Sequence, residues 1–264
     1  FAQRFAVCGF NSEALYPSYG LAESTVFVSG NPGGQKYSRL KVDAEALSHH
    51  KLLLKDLEPA RELVGLGHCW NEGKMIIVDP ESKQACKNDE IGEIWISGPS
   101  VGQGYWKRPE ASQACFQAYL KGSDQHEPWM RSGDLGFLHE DQLYITGRIK
   151  ELIIVHGQNY YPQPIEQAVQ SVSKAFRPGN GAAFSLGENP EKLVVVQEIR
   201  KQSHIDPEEL KRLATESVLK HIGLPLYDFV PVAAGKLPKT SSGKLQRSRC
   251  RELYLKGKLK KWKP

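Results

Sequence analysis

Residues 131–155, RSGDLGFLHEDQLYITGRIKELIIV, decide how the chain is divided. Two apolar runs in this stretch, 143–146 and 152–155, have the composition of β-strands, and the residues GRIKE separate them. Upstream of the stretch, short apolar runs alternate with turn residues, whereas downstream the apolar residues recur at the spacing of helices. This change of pattern predicts a domain boundary at residues 148–151.

The part before the boundary reads as an α/β core at residues 1–30 that leads into a small β-rich region. Strands are expected at 75–78 and 93–97, because each is followed by a turn sequence, DPES or SGPS. Trp95 stands between two isoleucines, which predicts a strand buried on both faces. Residues 31–67 differ from this pattern, since a turn-rich opening and mixed charge with helical patches predict an inserted segment.

The part after the boundary predicts a compact α+β domain. The prolines of PQP at 162–164 precede a helix whose apolar residues fall on one stripe. Residues 193–197, LVVVQ, read as a buried strand, and Asp206-Pro207 begins a second helix at the cap and first-turn positions. One more strand is expected at 229–232.

Composition narrows the function classes only slightly. The 264 residues are 40% hydrophobic and 25% charged, and the formal net charge of +5 is that of a solvated surface, not of a nucleic-acid-binding one. No run approaches the ~20 apolar residues of a membrane span. Five scattered cysteines without a CxxC pair predict buried, reduced thiols in the cytoplasm, with neither disulfides nor a zinc site.

Two segments upstream of the boundary carry residues suited to binding a nucleotide. In YGLAEST, 19–25, the Glu23 carboxylate can hold Mg²⁺ near phosphates and Tyr19 can stack on a flat base, although any loop can contain such residues. In RSGDLG, 131–136, Asp134 lies beside glycine in an expected loop, where a carboxylate can accept both hydroxyls of a ribose diol. The alternative for Asp134 is an ordinary turn aspartate.

Two further segments carry basic residues. GRIKE, 147–151, combines glycine with basic side chains at the boundary, which suits a hinge that contacts an anionic ligand; the alternative is a hairpin corner. PKTSSGKLQR, 238–247, predicts a flexible loop that presents Lys244, whose charge can stabilise a carboxylate attacking phosphorus; the alternative is a basic surface loop. It is not the phosphate loop of nucleotide hydrolases, because Leu245 follows the lysine in place of Ser or Thr.

In this order, the four segments resemble the motifs of the adenylate-forming superfamily, which includes acyl-CoA synthetases, peptide-synthetase adenylation domains and luciferases. Within this superfamily, the chain is most similar to fatty acyl-AMP ligases. The similarity lies in the local sequences YGLAESTVFVSG, GEIWISGPSVGQGYWKRPE and TGRIKELIIVHGQNYYPQPIE. That resemblance implies a fold of α/β and α+β type. The implied parts are the end of a large α/β–β-barrel domain at 1–146 with an insertion at 31–67, a hinge at 147–151 and a small α+β lid at 152–264.

The resemblance also implies a reaction and the residues that serve it. A fatty acid and ATP, with Mg²⁺, would form acyl-adenylate and pyrophosphate, and the acyl group would pass to an acyl carrier protein. The resemblance implies that Tyr19 and Gly20 contact the nucleotide, with the Tyr19 ring on adenine, and that Asp134 and Arg148 hold the ribose. It further implies that Glu23 holds Mg²⁺ and that Lys150 is the pivot. Lys244 is implied to stabilise the carboxylate and the α-phosphate.

Two departures from the family pattern matter for function. Ala22 occupies the position of the usual threonine before the glutamate, and the Ser/Thr/Gly-rich phosphate loop expected earlier in the family is not among residues 1–264. The chain opens with Phe1 in a segment that reads as folded, so we expect it to be part of a longer protein. Alone it is then expected to bind ATP weakly and to catalyse little or nothing.

Two other interpretations stay open at the level of sequence. An acyl-CoA synthetase or an amino- or aryl-acid adenylation domain would carry out the same first half-reaction and would differ in the acid or in the thiol acceptor. A non-catalytic adenylate-fold interaction module would share the fold without the chemistry. The presence of Glu23, Asp134 and Lys244 favours an enzyme, because a decayed site need not keep all three.

Overall fold

The computed structural model describes residues 1–33, 36–48, 50–57, 60–70, 72–123, 127–155, 157–187, 191–201 and 205–263. The chain forms two compact units, Phe1–Lys150 and Glu151–Pro264. The division lies inside the stretch 147–151 for which a hinge is predicted. No helix in the described residues is long and apolar enough to cross a membrane.

The described part of the first unit consists of short strands with three short helices. The strands are β1 (Ser18–Tyr19), β2 (Ser29–Gly30), β3 (Arg39–Asp43), β4 (Ala60–Val64), β5 (His68–Cys69), β6 (Lys74–Val78), β7 (Gly92–Ser97), β8 (Met130–His139) and β9 (Gln142–Arg148), and the helices are α1 (Ala2–Phe5), α2 (Ala44–Ser48) and α3 (Pro109–Phe116). They form three open sheets in the orders β1-β2-β5, β3-β4 and β6-β7-β8-β9. No closed barrel forms among these described strands, so open sheets stand where the family resemblance implies a barrel.

The antiparallel sheet β6-β7-β8-β9 is the centre of the first unit. Every residue of β7 is buried, and Trp95 is completely enclosed. Ile94 and Ile96 pack into an apolar cluster on one side of the strand, whereas Trp95 packs with Val78 and Trp129 on the other. The prediction of a strand buried on both faces is therefore confirmed.

The segment 31–67 forms a two-stranded ribbon, β3 and β4, with α2 between the strands. The helical patches expected there are therefore only partly present, because the charged residues of RLKVD and ARELV lie on strands. Val42, Leu47 and Leu63 are its buried apolar residues, and the other strand positions are exposed or half-buried. Residues 34–35, 49 and 58–59 of the predicted insertion lie outside the described residues.

The second unit contains a three-stranded sheet with helices on both faces and a separate two-stranded sheet. Its elements are β10 (Ile153–Val155), β11 (Gln158–Tyr160), α4 (Pro162–Ser171), β12 (Phe176–Leu186), β13 (Lys192–Ile199), α5 (Pro207–Ile222), β14 (Leu226–Ala233) and α6 (Arg247–Leu255). Strands β10 and β11 form the two-stranded sheet. The order of the three-stranded sheet is β12-β13-β14, with β12 and β13 antiparallel and β13 and β14 parallel. Helices α4 and α5 pack on one face of this sheet, and α6 packs on the other.

Local chemistry explains both ends of α5 and the beginning of α4. The Asp206 carboxylate accepts a hydrogen bond from the Glu208 backbone amide, and Gly223 adopts the left-handed conformation that closes α5. Pro162 and Pro164 lie in the first turn of α4 and do not precede it as expected, since a proline at the first helical position lacks only an amide that would have no partner. The strand predictions at 193–197 and 229–232 are confirmed as β13 and β14.

Candidate functional site

Asp134 is the centre of the candidate site in the first unit. One of its carboxylate oxygens, Oδ1, accepts from Arg148 Nε at 2.7 Å, and the other, Oδ2, accepts from the Tyr19 hydroxyl at 2.8 Å. Asp134 and Arg148 face each other on the adjacent strands β8 and β9. The Asp134 side chain is 6% exposed and that of Arg148 is 61% exposed, so a buried acceptor is paired with an accessible cation. The structure thus brings three predicted site residues together.

The surroundings of Asp134 differ from the expected loop. Residues 131–134 belong to β8, and the pairing of β8 with β9 is irregular next to Leu135 and Gly136. The ordinary turn-aspartate alternative therefore does not apply. The Ser132 hydroxyl accepts the Asp134 backbone amide at 3.0 Å, which fixes the backbone on the N-terminal side of the carboxylate.

Tyr19 contributes its hydroxyl to the site while its ring lies in the core. The side chain is 7% exposed and packs in the cluster that contains Ile94 and Ile96. Burial, reinforced by the Asp134 charge, raises the pKa of Tyr19 well above its usual value, so the hydroxyl stays protonated as the donor to Asp134. Stacking of this ring on adenine stays a prediction.

Glu93 supports the strand that carries Asp134, and the sequence analysis missed it. Its buried carboxylate accepts from the Arg131 guanidinium at 2.7 Å, from the Gly133 amide at 3.1 Å and from the Trp95 indole at 3.0 Å. These bonds fix the backbone immediately before Asp134. The signal in the sequence is a single carboxylate in the otherwise apolar run EIWIS, because a charge buried in a strand needs partners.

Glu23 lies in a 3₁₀ turn formed by Ala22–Ser24, directly after β1. Its Oε1 atom accepts from the Tyr105 hydroxyl at 2.8 Å, and its backbone carbonyl accepts from the Gly102 amide at 2.8 Å. Burial raises the pKa of Tyr105, with contributions from Cys115 and Glu23, so Tyr105 acts as the donor. The described residues contain no cluster of three or more metal-ligating side chains. A single oriented carboxylate fits Mg²⁺, which proteins hold through one or two carboxylates together with substrate phosphates.

Gly20 has a steric role that does not depend on any ligand. A Cβ atom at this position would stand 1.5 Å from the Val26 carbonyl oxygen. Only glycine, which has no Cβ atom, fits where the backbone at residue 20 approaches Val26 this closely. Thr25 and Val26 have positive φ angles of 51° and 75°, which places a strained turn directly after Glu23. The predicted contact of Gly20 with a nucleotide stays a prediction.

Lys150 and Lys244 lie in different units, each of which is described by itself. Lys150 is exposed in the 3₁₀ turn Ile149–Glu151 and is the last residue of the first unit. Lys244 is exposed in the second unit on a closed turn, because its carbonyl accepts the Thr240 amide at 2.8 Å and its own amide donates to Thr240 Oγ1 at 3.0 Å. Gly243 provides the positive φ of 84° that the turn requires. The segment expected to be a flexible loop is thus an internally hydrogen-bonded turn.

The five cysteines are free, and their burial differs from the expectation of buried thiols. Cys8 is exposed, three are half-buried, and only Cys250 is fully buried. Burial, with the nearby Glu166 charge, raises the pKa of the Cys250 thiol to about 12. The described residues offer no disulfide and no zinc cluster.

Two protein-family models match the chain. The model described as "AMP-binding enzyme" matches residues 1–106, and the model described as "Disco-interacting protein 2-like, AMP domain" matches residues 150–263. The two matches lie mainly on the first and on the second unit, respectively.

Two similar curated proteins are named as ligases of fatty acids. The medium-chain-fatty-acid–[acyl-carrier-protein] ligase JamA of Moorena producens is 41% identical over 99% of this chain and 45% of its own length. The long-chain-fatty-acid–AMP ligase FadD32 of Mycolicibacterium smegmatis is 35% identical over 98% of this chain and 46% of its own length. The chain therefore spans a little less than half the length of the curated relatives it matches.

Two similar solved structures also come from work on ligases that join fatty acids to AMP. A structure from a study of fatty acyl-adenylate ligases from E. coli and L. pneumophila superposes with a TM-score of 0.84 at 26% identity, over 97% of this chain and 44% of that one. The fatty acid AMP ligase from Legionella pneumophila is 36% identical with a TM-score of 0.56, over 98% of this chain and 45% of that one.

Proposed function

We propose that this chain belongs to the adenylate-forming superfamily and corresponds to the C-terminal part of its fatty acyl-AMP ligases. On that premise, the complete protein joins a fatty acid to AMP. The observation that supports this most is the Asp134 carboxylate held between the Tyr19 hydroxyl and the Arg148 guanidinium. A carboxylate of fixed orientation beside an exposed guanidinium suits a ligand that carries a vicinal diol next to phosphates.

The proposed reaction is an in-line displacement at phosphorus. A carboxylate oxygen of the fatty acid bonds to the α-phosphorus of ATP while the bond from that phosphorus to the pyrophosphate oxygen breaks, so acyl-AMP and pyrophosphate form. Two anions approach each other in this step, so positioning and charge neutralisation are the main requirements. Lys244 would stabilise the carboxylate and the α-phosphate oxygens, Asp134 and Arg148 would hold the ribose, and Lys150 would serve as the pivot between units.

Glu23 is the residue proposed to hold Mg²⁺, which supplies neutralisation of the phosphate charge when bound. The Tyr105 hydroxyl donates to one oxygen of this carboxylate and so orients the other. Tyr19 ends β1 and Gly20 follows it, shortly before the turn that carries Glu23, and the adenine is proposed to bind there.

An acyl carrier protein is the proposed acceptor of the activated acyl group. Support comes from the name of JamA, which specifies a carrier protein, and from the ribbon β3–β4 in the segment where an insertion is predicted. Coenzyme A is the second candidate, because a relative 37% identical over 96% of this chain, fadD25 of Mycobacterium tuberculosis, is named a putative fatty-acid–CoA ligase. Incubating the complete protein with a fatty acid, ATP and either thiol separates the two acceptors.

Residues 1–264 are proposed to be insufficient for the reaction, because they contain no Ser/Thr/Gly-rich phosphate loop of the kind the family places earlier. We expect this chain alone to release little pyrophosphate from ATP. The proposed location is the cytoplasm, where the five free thiols would stay reduced.

Substitution of Lys244 tests the proposed function. In the complete protein, Lys244→Ala should lower acyl-AMP formation about 10²-fold or more, the scale expected for loss of a positioned charge stabiliser. Lys239→Ala is the matched control, because its ammonium already binds Asn180 Oδ1 at 2.6 Å. Pyrophosphate release that is nearly normal in the Lys244 variant would contradict the assignment.

A further inference from the structure

Arg247 makes three charged contacts in the second unit that no predicted role uses. Its Nε and Nη2 atoms donate to the two oxygens of Glu166 at 2.7 and 2.8 Å, and its Nη1 atom donates to Glu151 Oε2 at 2.8 Å. The side chains of all three residues are at least four-fifths buried, with exposures of 15%, 8% and 17% for Arg247, Glu166 and Glu151. The three side chains therefore form a largely buried ionic cluster and not a surface ion pair.

The cluster joins segments that are far apart in the sequence. Glu151 is the first residue of the second unit, and Glu166 lies on α4. Glu166 Oε1 also accepts the Ala183 backbone amide at 3.0 Å, which attaches the cluster to the edge strand β12. Arg247 itself is the first residue of α6. One guanidinium therefore ties the beginning of this unit to its sheet and to its last helix.

The Lys244 turn ends immediately before Arg247, and its backbone is closed at the same place. The Gln246 amide donates to the Pro238 carbonyl at 3.0 Å, and the Lys244 and Thr240 backbones bond to each other within the turn. Few free torsions therefore remain between the Arg247 anchor and the Lys244 backbone. A guanidinium with a bidentate and a third contact has one orientation, unlike an ammonium, which rotates freely about its bond.

We propose that Arg247 is a positioning residue that holds the Lys244 turn in a fixed place relative to Glu151, the residue at the end of the hinge. The inference rests on the proposed function, because it assigns Arg247 an action through Lys244. Arg247 has no contact with substrate in this account. Its effect on the reaction arises because an ammonium displaced by about 1 Å loses much of its stabilisation of the transition state.

A kinetic double-mutant cycle in the complete protein tests this coupling. Arg247→Met should lower the turnover number for acyl-AMP formation by about 10²-fold with a small change in the ATP Michaelis constant, the scale of a misplaced catalytic group. In the Lys244→Ala background, the same substitution should lower turnover by less than about threefold, because the group it positions is gone. Equal losses in both backgrounds would overturn the proposal.

Hydrogen exchange supplies a readout that does not depend on activity. The Lys244 amide donates to Thr240 Oγ1 and should exchange faster in Arg247→Met, whereas amides of β13 should keep their protection. Arg247→Lys keeps the positive charge but not the planar guanidinium with its paired donors. The exchange rate of the Lys244 amide in this variant should therefore be closer to that in Arg247→Met than to that in the wild type. Unchanged exchange at Lys244 in both variants would refute the positioning role even if the protein proved not to be an adenylating enzyme.

Two further variants distinguish a loss of positioning from a loss of folding. Arg249→Met is the matched control, since Arg249 also lies on α6 but is 54% exposed and binds Glu252 on the same helix. It should leave turnover and exchange unchanged. Glu151→Ala removes one partner and keeps the Arg247–Glu166 pair, so it should reduce turnover while the midpoint of thermal unfolding changes little. Full activity of Glu151→Ala would contradict the link to the hinge end.

Discussion

At the scale of single residues, Asp134 provides the most direct prediction about nucleotide binding. A carboxylate that holds a ribose diol contributes in the ground state as well as in the transition state. Asp134→Ala should therefore raise the ATP Michaelis constant of the complete protein about tenfold or more, the scale of lost hydrogen bonds to a charged group, with a smaller fall in turnover. Steady-state kinetics with varied ATP measures this.

Removal of the Asp134 carboxylate also leaves the buried Tyr19 hydroxyl without its acceptor, so a control for stability is needed. Tyr19→Phe removes the same hydrogen bond from the other side and keeps the carboxylate. It should change the ATP Michaelis constant much less than Asp134→Ala does. An ATP saturation curve that is identical in Asp134→Ala and the wild type would remove the ribose assignment.

Gly20 carries a prediction about stability. In Gly20→Ala the new methyl group would have to displace the Val26 carbonyl, so the free energy of unfolding should fall by about 3 kcal/mol or more. Gly33→Ala is the matched control, because nothing lies within 4 Å of its Cβ position, and it should be nearly neutral. Denaturant unfolding of the two variants provides the measurement, and equal stabilities would show that the close approach at Gly20 is not real.

The sequence predicted the chemistry of single residues better than their surroundings. The resemblance of the ordered motifs to a known family selected Tyr19, Asp134 and Arg148, and the structure brings them together. Glu93 and Tyr105 were missed, because they act through contacts 38 and 82 residues away in the chain. Such partners are set by the tertiary fold, and a single sequence carries no local pattern for them.

At the scale of elements, the ribbon β3–β4 leads to a prediction about the thiol acceptor. Arg61 on β4 donates to the Thr146 carbonyl at 3.0 Å, and the Leu66 amide donates to the Leu143 carbonyl at 2.8 Å. The ribbon is thus attached to β9, the strand that ends at Arg148. We infer that this attachment restricts movement at the hinge that follows. At ~25 cal/mol per Å², even ~200 Å² of apolar burial contributed by such a segment would bias an equilibrium by ~5 kcal/mol.

Shortening the ribbon tests this inference. Arg39 and Val64 are directly paired, so residues 40–63 can be replaced by a short linker between ends that already lie side by side. The shortened complete protein should still form acyl-AMP and should gain acyl-CoA formation. Ready acyl-CoA formation by the unmodified protein would contradict the fatty acyl-AMP ligase proposal. A shortened protein that adenylates but makes no acyl-CoA would contradict only the role of the ribbon.

The elements differ in how readily the sequence predicts them. Apolar runs bounded by turns identified β6, β7 and β13, because burial on both faces requires such runs. The ribbon and β12 were not identified. Charged residues occupy the exposed positions of the ribbon, and β12 contains proline and two glycines in its first half, where its pairing with β13 is irregular.

At the scale of the whole molecule, the change of pattern predicts a boundary at 148–151, and the chain divides into its two units between Lys150 and Glu151. The hinge role of this junction stays a prediction. Tyr19, Glu23 and Asp134 lie in the first unit, and Lys244 lies in the second. The proposed chemistry therefore needs residues from both, and separately expressed units should not adenylate a fatty acid.

The fate of the carboxylate oxygen tests the central proposal, activation of a fatty acid as its acyl-adenylate, most directly. The complete protein is given ATP, Mg²⁺ and a fatty acid whose carboxylate carries heavy oxygen, and the products are analysed by mass spectrometry after transfer to a thiol. If the carboxylate attacks the α-phosphorus, one labelled oxygen remains on AMP when the acyl group leaves. The expected products are labelled AMP and unlabelled pyrophosphate. Label in inorganic phosphate formed together with ADP, or unlabelled AMP, would contradict it.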